Sequence, residues 1–340
     1  MPSALDLRMD KGIAGLTGAG GPMALTDVTV RGRSYPMIAA TPPSLPHYFA
    51  HYCAAHADTI FLVSGDERLT FSQVYEQAGR VARALVAGGT RRGDRIGIAM
   101  RNSPSWITLY MGISMAGGIA VLLNGWWQPE EFAGALSEVE CAIVFADGAR
   151  AKRLADVAGL TARIVTIEDI RPLAEALSPI ASDAAADLPD LGPDDLATIL
   201  FTSGSTGSAK GALSDHRAVL SGTLNFLASA LVMLGLSTED GKPPQGQPST
   251  LLNVPLFHVT AEVPVLLQSF AMGRKLVLMP KWDAEDAMRL IEAEKVSYFV
   301  GVPLMSFEIL THPNRGHYDL SSVTDFAAGG GLAVSATLRT

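Results

Sequence analysis

Cysteine is nearly missing from this chain: Cys53 and Cys141 are the only two in 340 residues. They lie far apart and match neither a redox pair nor a metal-ligand spacing, which excludes a disulfide-stapled fold and points to a reducing cytoplasm as the expected compartment. Positive charge is also short, with 26 Lys and Arg against 34 Asp and Glu and a net charge of −8. Nucleic-acid phosphates require a basic face, so a nucleic-acid partner is excluded. The start of the chain lacks the basic residues, apolar core and small-residue cleavage site of a secretory signal. The uncharged stretch from Trp106 to Trp127 is long enough to cross a bilayer. Thr108, Ser114, Asn124 and four glycines, at 112, 117, 118 and 125, dilute it. A buried helix followed by a strand from Ile119 to Leu123 is the better account, and no transmembrane segment is expected.

Apolar residues, in contrast, are plentiful at 48%, enough to bury a large core at this length. Residues 1 to about 24 read as a loose extension, and Val28, Val30, Tyr35 and Met37 alternate around a turn as a small hairpin. From Ser44 onward helical and strand patterns alternate. Thr70 is placed to cap a helix whose apolar positions Val74, Ala78, Val81, Ala82 and Leu85 recur at helical spacing. The apolar runs from Arg95 to Met100, Ile119 to Leu123, Ala142 to Ala146, Ile164 to Ile167, Leu196 to Phe201, Leu251 to Val254, Lys275 to Met279 and Tyr298 to Val302 read as strands. Helical patterns lie between them, among them residues 216–233, 262–270 and 284–294. Unbroken apolar strands alternating with helices predict an α/β fold of layered parallel sheets flanked by helices. The expected division is an extension and hairpin over 1–44, a first α/β subdomain over 45–195 and a second over 196–340. Residues 168–195 read as a surface connection and 235–250 as a mobile loop.

The densest chemistry follows Leu196 to Phe201: Thr202-Ser203-Gly204-Ser205-Thr206-Gly207-Ser208-Ala209-Lys210-Gly211. Glycines let backbone approach a polyanion with N–H groups turned inward, hydroxyls add donors and the lysine adds charge. A nucleotide triphosphate is the implied ligand. The Walker A spacing fails twice, because counting from Gly204 puts Ala209 at the second glycine and Gly211 at the metal-binding hydroxyl. The bland alternative is a polar surface turn.

The segment Thr-Ser-Gly-Ser-Thr-Gly-x-x-Lys-Gly resembles the signature of the adenylate-forming, or AMP-binding, superfamily: acyl-CoA synthetases, aryl-CoA ligases, luciferases and peptide-synthetase adenylation domains. The segments 92–98, Asn102-Ser103-Pro104-Ser105-Trp106 and 115–121 are similar to its early motifs, Pro255-Leu256-Phe257-His258 to its acyl-pocket motif, and Gly330-Gly331 followed by Ser335 to its adenine-side strand. The resemblance implies ATP and AMP binding through Thr202, Ser203, Gly204, Ser205, Thr206, Gly207, Lys210, Gly330 and Gly331. It implies Mg²⁺ on the phosphates, coenzyme A as co-substrate and a small carboxylic acid as partner. His258 is implied beside the reacting carboxylate, with Phe257, Val302 and Pro303 lining the acid site. Read alone, His258 is an ordinary core histidine, Pro303, Met305 and Phe307 are core packing, and the paired glycines are a tight turn. Trp126 and Trp127 either gate an acyl channel or close a core edge, and Glu262 is a helix-start carboxylate with no role.

The superfamily pattern continues past Thr340 with Tyr-Gly-x-Thr-Glu and Thr-Gly-Asp segments, where a metal ligand lies, and with a lid domain carrying a catalytic lysine. The expectation is therefore the N-terminal part of an ATP-dependent synthetase that adenylates a fatty or other hydrophobic acid and then forms the CoA thioester, crippled or inactive by itself. The alternatives are an aryl-acid ligase or adenylation domain and, from another class, a non-catalytic nucleotide-binding scaffold. Val259-Thr260-Ala261 offers no aspartate to grip a substrate amine, which favours a plain acid.

Overall fold

The computed structural model describes residues 2–167, 187–202 and 209–328. Helix α1 (Ala4–Thr17) is followed by the hairpin β1 (Leu25–Val30) and β2 (Arg33–Ile38), then α2 (Leu45–Ala55), β3 (Ile60–Ser64), β4 (Glu67–Thr70) and α3 (Phe71–Ala87). An alternating run comes next: β5 (Arg95–Ala99), α4 (Pro104–Met115), β6 (Ile119–Leu122), α5 (Pro129–Val139), β7 (Ile143–Ala146), α6 (Gly148–Ala155) and β8 (Arg163–Thr166). Strands β9 (Leu196–Thr202) and β10 (Lys210–Asp215) lead into α7 (His216–Glu239). The described part closes with β11 (Ser249–Leu252), helix α8 (Val259–Met272), β12 (Lys275–Leu278), α9 (Ala284–Glu294), β13 (Tyr298–Gly301), α10 (Pro303–Thr311) and β14 (Asp325–Ala328).

These strands form two six-stranded sheets, in the orders β10-β9-β6-β5-β7-β8 and β14-β13-β11-β12-β3-β4. Pairing is parallel except at one edge of each sheet, where β10 runs antiparallel to β9 and β4 antiparallel to β3. Alternating helices and strands thus give the expected layered α/β architecture, with antiparallel edges added. The sheets do not follow the sequence division at residue 195: β9 and β10 complete the first sheet, while β3 and β4, from residues 60–70, close the second. The contact between β3 and β12 joins Leu62 to Leu276 and Val63 to Val277. Such a distant pairing leaves no mark on local periodicity.

The uncharged stretch is core. Every residue of α4 is buried, and so is all of β6. Ser103 caps α4 by accepting from the Trp106 N–H, and Pro104 takes the first turn, where its missing donor costs nothing. Two other expectations are corrected. Residues before 24 are not a loose extension but hold α1, opened by a capping box in which Ser3 and Asp6 each accept the other's backbone N–H. The stretch 235–250 is not all loop, because α7 runs on to Glu239 and β11 starts at Ser249. Helix α7 is long and apolar enough to cross a membrane by length and composition. Here α1 and α8 pack against it.

The α3–α4 contact is the tightest helix packing and turns on a glycine. A Cβ at Gly112 would lie 2.5 Å from Val81 Cγ1 and 3.1 Å from the Ala78 carbonyl oxygen. Gly134 in α5 faces open space. Gly112→Ala is therefore expected to lower stability by about 1–3 kcal/mol through overpacking. Gly134→Ala is expected to raise it by about 0.5–1 kcal/mol through lost chain entropy. Denaturant midpoints that move the same way in both variants would contradict this account.

Candidate active site at the strand ends

Thr202 ends β9 and Lys210 opens β10, and the two stand opposite each other in the antiparallel ladder. Thr202 Oγ1 donates to the Lys210 carbonyl at 3.5 Å, and both residues are exposed. The glycine-rich loop is thus carried on a two-strand stem. A Walker A loop would instead lead from a strand into a helix, so the topology agrees with the failed spacing. Ser203, Gly204, Ser205, Thr206 and Gly207 lie outside the described residues, as do Gly330 and Gly331.

The segment carrying His258 follows β11 at its carboxyl end, the side on which parallel sheets present ligand sites. Asn102, just past the end of β5 in the other sheet, holds that segment in place. Its Nδ2 donates to the Val254 carbonyl at 2.8 Å and more weakly to that of Leu252 at 3.4 Å, while its Oδ1 accepts the Leu256 N–H at 3.0 Å. A single buried amide therefore ties the carboxyl edges of the two sheets together. Beyond it Phe257 is buried, and His258 is exposed and caps the first turn of α8. The histidine is not the satisfied core residue of the bland reading.

Two tryptophans join the halves. Trp127 packs edge-on against Phe201, the neighbour of Thr202, at 5.1 Å between ring centroids. Trp126 packs edge-on against Phe257 at 5.2 Å, and Phe257 lies 5.6 Å from the His258 ring. Trp127 is buried whereas Trp126 is 62% exposed. An exposed indole is usually mobile, but the backbone here is clamped on both sides. Arg150 Nε donates to the Gly125 carbonyl at 2.8 Å, and Arg153 Nη1 donates to the Gly125 and Trp127 carbonyls, each at 3.1 Å. Asn124 Oδ1 accepts the Trp126 N–H at 2.9 Å. Arg150 is buried and paired with Asp147 at 3.1 Å, and Asp147 also accepts the Arg101 N–H. Sequence reasoning set the tryptophans aside. Their position after a strand end was a signal, but which rings they meet depends on strand order.

A cleft of about 2200 Å³ opens beside His258. Val259, Thr260 and Pro264 of α8, Leu224 and Leu227 of α7, and Val300 and Ala327 on the second sheet line it. Val302 and Pro303 follow β13, the neighbour of β11, and are exposed at the same sheet edge without lining the cleft. Met305 accepts from Asn253 Nδ2, through its sulfur, at 3.1 Å; Phe307 is 61% exposed and so is not core packing. At the amino end of β12, Arg274 is buried, with its guanidinium 5.0 Å from the Tyr298 ring centroid and one nitrogen donating to Met272 Sδ at 2.8 Å. Burial pulls its pKa down to about 10.

Glu262 departs furthest from its sequence reading. It is wholly buried at the head of a π-helical stretch, Glu262–Leu267, within α8. Pro264 accounts for the widened turn, since it has no N–H to return to the preceding turn and its ring would strike the carbonyl there. Tyr110, itself buried and stacked on Trp106, donates to Glu262 Oε1 at 2.8 Å, while Oε2 has no partner among the described residues. Burial, only partly offset by that hydrogen bond, pushes the carboxyl pKa up to about 7. Because Glu262 N–H donates to the His258 carbonyl, this buried acid shares the helical turn that presents the histidine.

A profile of the AMP-binding enzyme family matches residues 49–340. The chain belongs to the AMP-binding enzyme family. Among curated relatives of this AMP-binding chain, a long-chain-fatty-acid–CoA ligase of Bacillus subtilis is 26% identical over 296 residues, covering 77% of this chain and 51% of the ligase. A feruloyl-CoA synthase of an Amycolatopsis species is 29% identical over 267 residues, covering 78% and 50%. The chain thus spans about half the length of the relatives it matches. The N-terminal domain of FACL13 from Mycobacterium tuberculosis superposes with a TM-score of 0.70 at 26% identity, over 85% of this chain and 70% of that one. The layered sheets are therefore those of the N-terminal domain of AMP-binding enzymes. Among the described residues no group of three or more His, Cys, Asp or Glu is arranged to hold a metal ion, so no step is assigned to Mg²⁺ here.

Two measurements test this geometry. Asn102→Ala strands the buried Leu256 donor and Val254 acceptor, and is expected to cost about 2–3 kcal/mol in chemical denaturation. A loss below about 0.5 kcal/mol, the size of a surface substitution, would show that the sheet edges are joined by other means. For Glu262 the folded pKa is raised, so the fold favours the protonated acid. Its stabilising effect is complete below the ordinary value of 4.5 and is lost as pH rises through about 7. Glu262→Gln keeps the Tyr110 hydrogen bond without the charge. It should melt together with the parent chain near pH 4.5 and be more stable above neutrality by an amount on the order of 2–3 kcal/mol. Parallel melting curves across that range would refute the buried acid.

Proposed function

We propose that this chain is the acid- and nucleotide-binding part of an ATP-dependent acyl-CoA synthetase whose substrate is a hydrophobic carboxylic acid. The observation that carries this reading is the aromatic bridge running from Phe201 through Trp127 and Trp126 to Phe257 and His258. It sets the stem of the glycine-rich loop and the histidine on one rim, beside a deep, mostly apolar cleft. In the overall reaction a carboxylate oxygen attacks the α-phosphorus of ATP and pyrophosphate leaves, and a thiol then displaces AMP from the acyl-adenylate.

On this reading the stem residues Thr202 and Lys210 hold the triphosphate, and the charge of Lys210 offsets that of the leaving pyrophosphate. His258 sits at the cleft mouth, where it orients the carboxylate, while Phe257 and Trp126 keep water from the reacting carbon. Ser203, Gly204, Ser205, Thr206 and Gly207 complete the phosphate cradle, with Gly330 and Gly331 beside the adenine and Val302 and Pro303 at the outer rim of the acid site. The cleft volume supports an extended acid over a small aryl one, because drug-sized ligands fill only about 300–1,000 Å³. The relatives named above include both a fatty-acid and a feruloyl ligase, so the acid class rests on the cleft. This chain is expected to bind both substrates and to turn over slowly, if at all, without the further residues present in its relatives. Those residues are also where we place the metal ligands.

Calorimetric titration with ATP checks the assignment. Lys210→Ala should weaken ATP binding about 10- to 100-fold, the worth of one hydrogen bond to a charged group. An unchanged affinity, or no ATP binding by the parent chain, would remove it. Pyrophosphate release at ordinary enzyme rates across a panel of acids would show that the 340 residues suffice for adenylation.

A further inference from the structure

Residues 2–44 precede the family match, which begins at residue 49, and their burial has a simple pattern. Helix α1 contributes no buried residue at all. Between Pro2 and Pro43 the buried side chains are Met23 and Ile38, at 6% and 7% exposure. Both line the cleft, and both belong to the same hydrophobic cluster as Leu224, Leu227 and Val300. A segment that buried apolar residues merely to stabilise itself would spread them along α1.

The segment is nevertheless fixed to the cleft wall. Arg8 pairs with Asp240 at 2.8 Å and Glu239 at 3.2 Å beyond the carboxyl end of α7, where a cation also favours the helix dipole. Gly12 lets α1 approach α7 so closely that a Cβ there would sit 3.0 Å from Val232 Cγ1. The Met23 N–H donates to the Leu16 carbonyl at 3.0 Å, and the Ala39 N–H to the Ala24 carbonyl at 2.9 Å, which joins helix and hairpin around the two lining residues.

We infer that residues 2–44 form an added specificity wall, with Met23 and Ile38 setting how long an apolar acyl tail the cleft accepts. This rests on the acid-binding reading above and extends it to a segment outside the family match. The ligand class follows from the surface the two residues present: an unbranched aliphatic chain gains affinity with every methylene it buries against them, and neither side chain offers a polar group to a headgroup.

The test uses the whole chain with saturated acids from hexanoic to octadecanoic, competing against a fluorescent fatty acid. Met23→Trp should lower affinity for octadecanoic acid about tenfold more than for hexanoic acid, a difference of about 1.4 kcal/mol. Met23→Ala, which opens space, should move the optimum toward longer or bulkier acids. Melting temperatures of both variants identify any misfolded protein, and Ile38→Ala then supplies the same length test from the opposite side of the wall. A length profile that stays parallel to the parent's in the folded variants overturns this inference and leaves acid binding intact. Failure of the parent chain to bind any acid of the series overturns both.

Discussion

The buried amide of Asn102 is the constraint on which the rest of this site depends. Two parallel sheets each present loops at their carboxyl ends, but nothing in either sheet alone decides how those loops meet. Asn102 sits at the end of β5 and binds the backbone leaving β11 through both ends of its side chain. A carboxylate in its place has no donor for the Val254 carbonyl, and an aliphatic residue would leave two buried backbone groups unmatched. Once that link is made, the direction of the segment through Pro255 is set, Phe257 turns inward and His258 reaches the rim.

Aromatic packing completes what the amide begins. Trp126 and Trp127 are adjacent, so they point to opposite sides of one loop; one ring meets the β9 strand and the other meets Phe257. Edge-to-face contacts of this kind are directional, and the clamp of Arg150, Arg153 and Asp147 holds the carbonyls between which Trp126 projects. A buried ion pair is seldom worth much for stability by itself. Here its geometric result is an exposed indole with a fixed backbone.

The buried titratable groups share one physical feature: burial dominates their environments. His216 accepts the Leu45 N–H on Nδ1, and burial drops its pKa to about 4, so it works as a neutral hydrogen-bond acceptor between α2 and α7. Glu262 is pushed the other way for the same reason and stands protonated or nearly so in the fold at neutral pH. Arg274 keeps its charge against an aromatic face. None of these three shifts was readable in advance, since a shift depends on what surrounds the group.

Sequence patterns alone determined the alternation of apolar strands and helices, the buried character of residues 106–127, the helix caps at Ser103 and Thr70, and the resemblance carried by the glycine-rich loop and by Pro255 to His258. These are local properties, written in periods of two and 3.6 residues and in the hydrogen-bonding habits of single side chains. Helix α1 was also written locally, in Ser3 and Asp6, and was passed over because its apolar positions lack a helical stripe. The tertiary structure decided the rest: which strands share a sheet, that β3 crosses to β12, that Asn102 reaches Leu256, that two tryptophans join two motifs, and that Met23 and Ile38 meet across a cleft. Those facts arise from contacts between residues far apart in the chain, and such contacts are selected by the shape and packing of the whole domain, which no window of sequence contains.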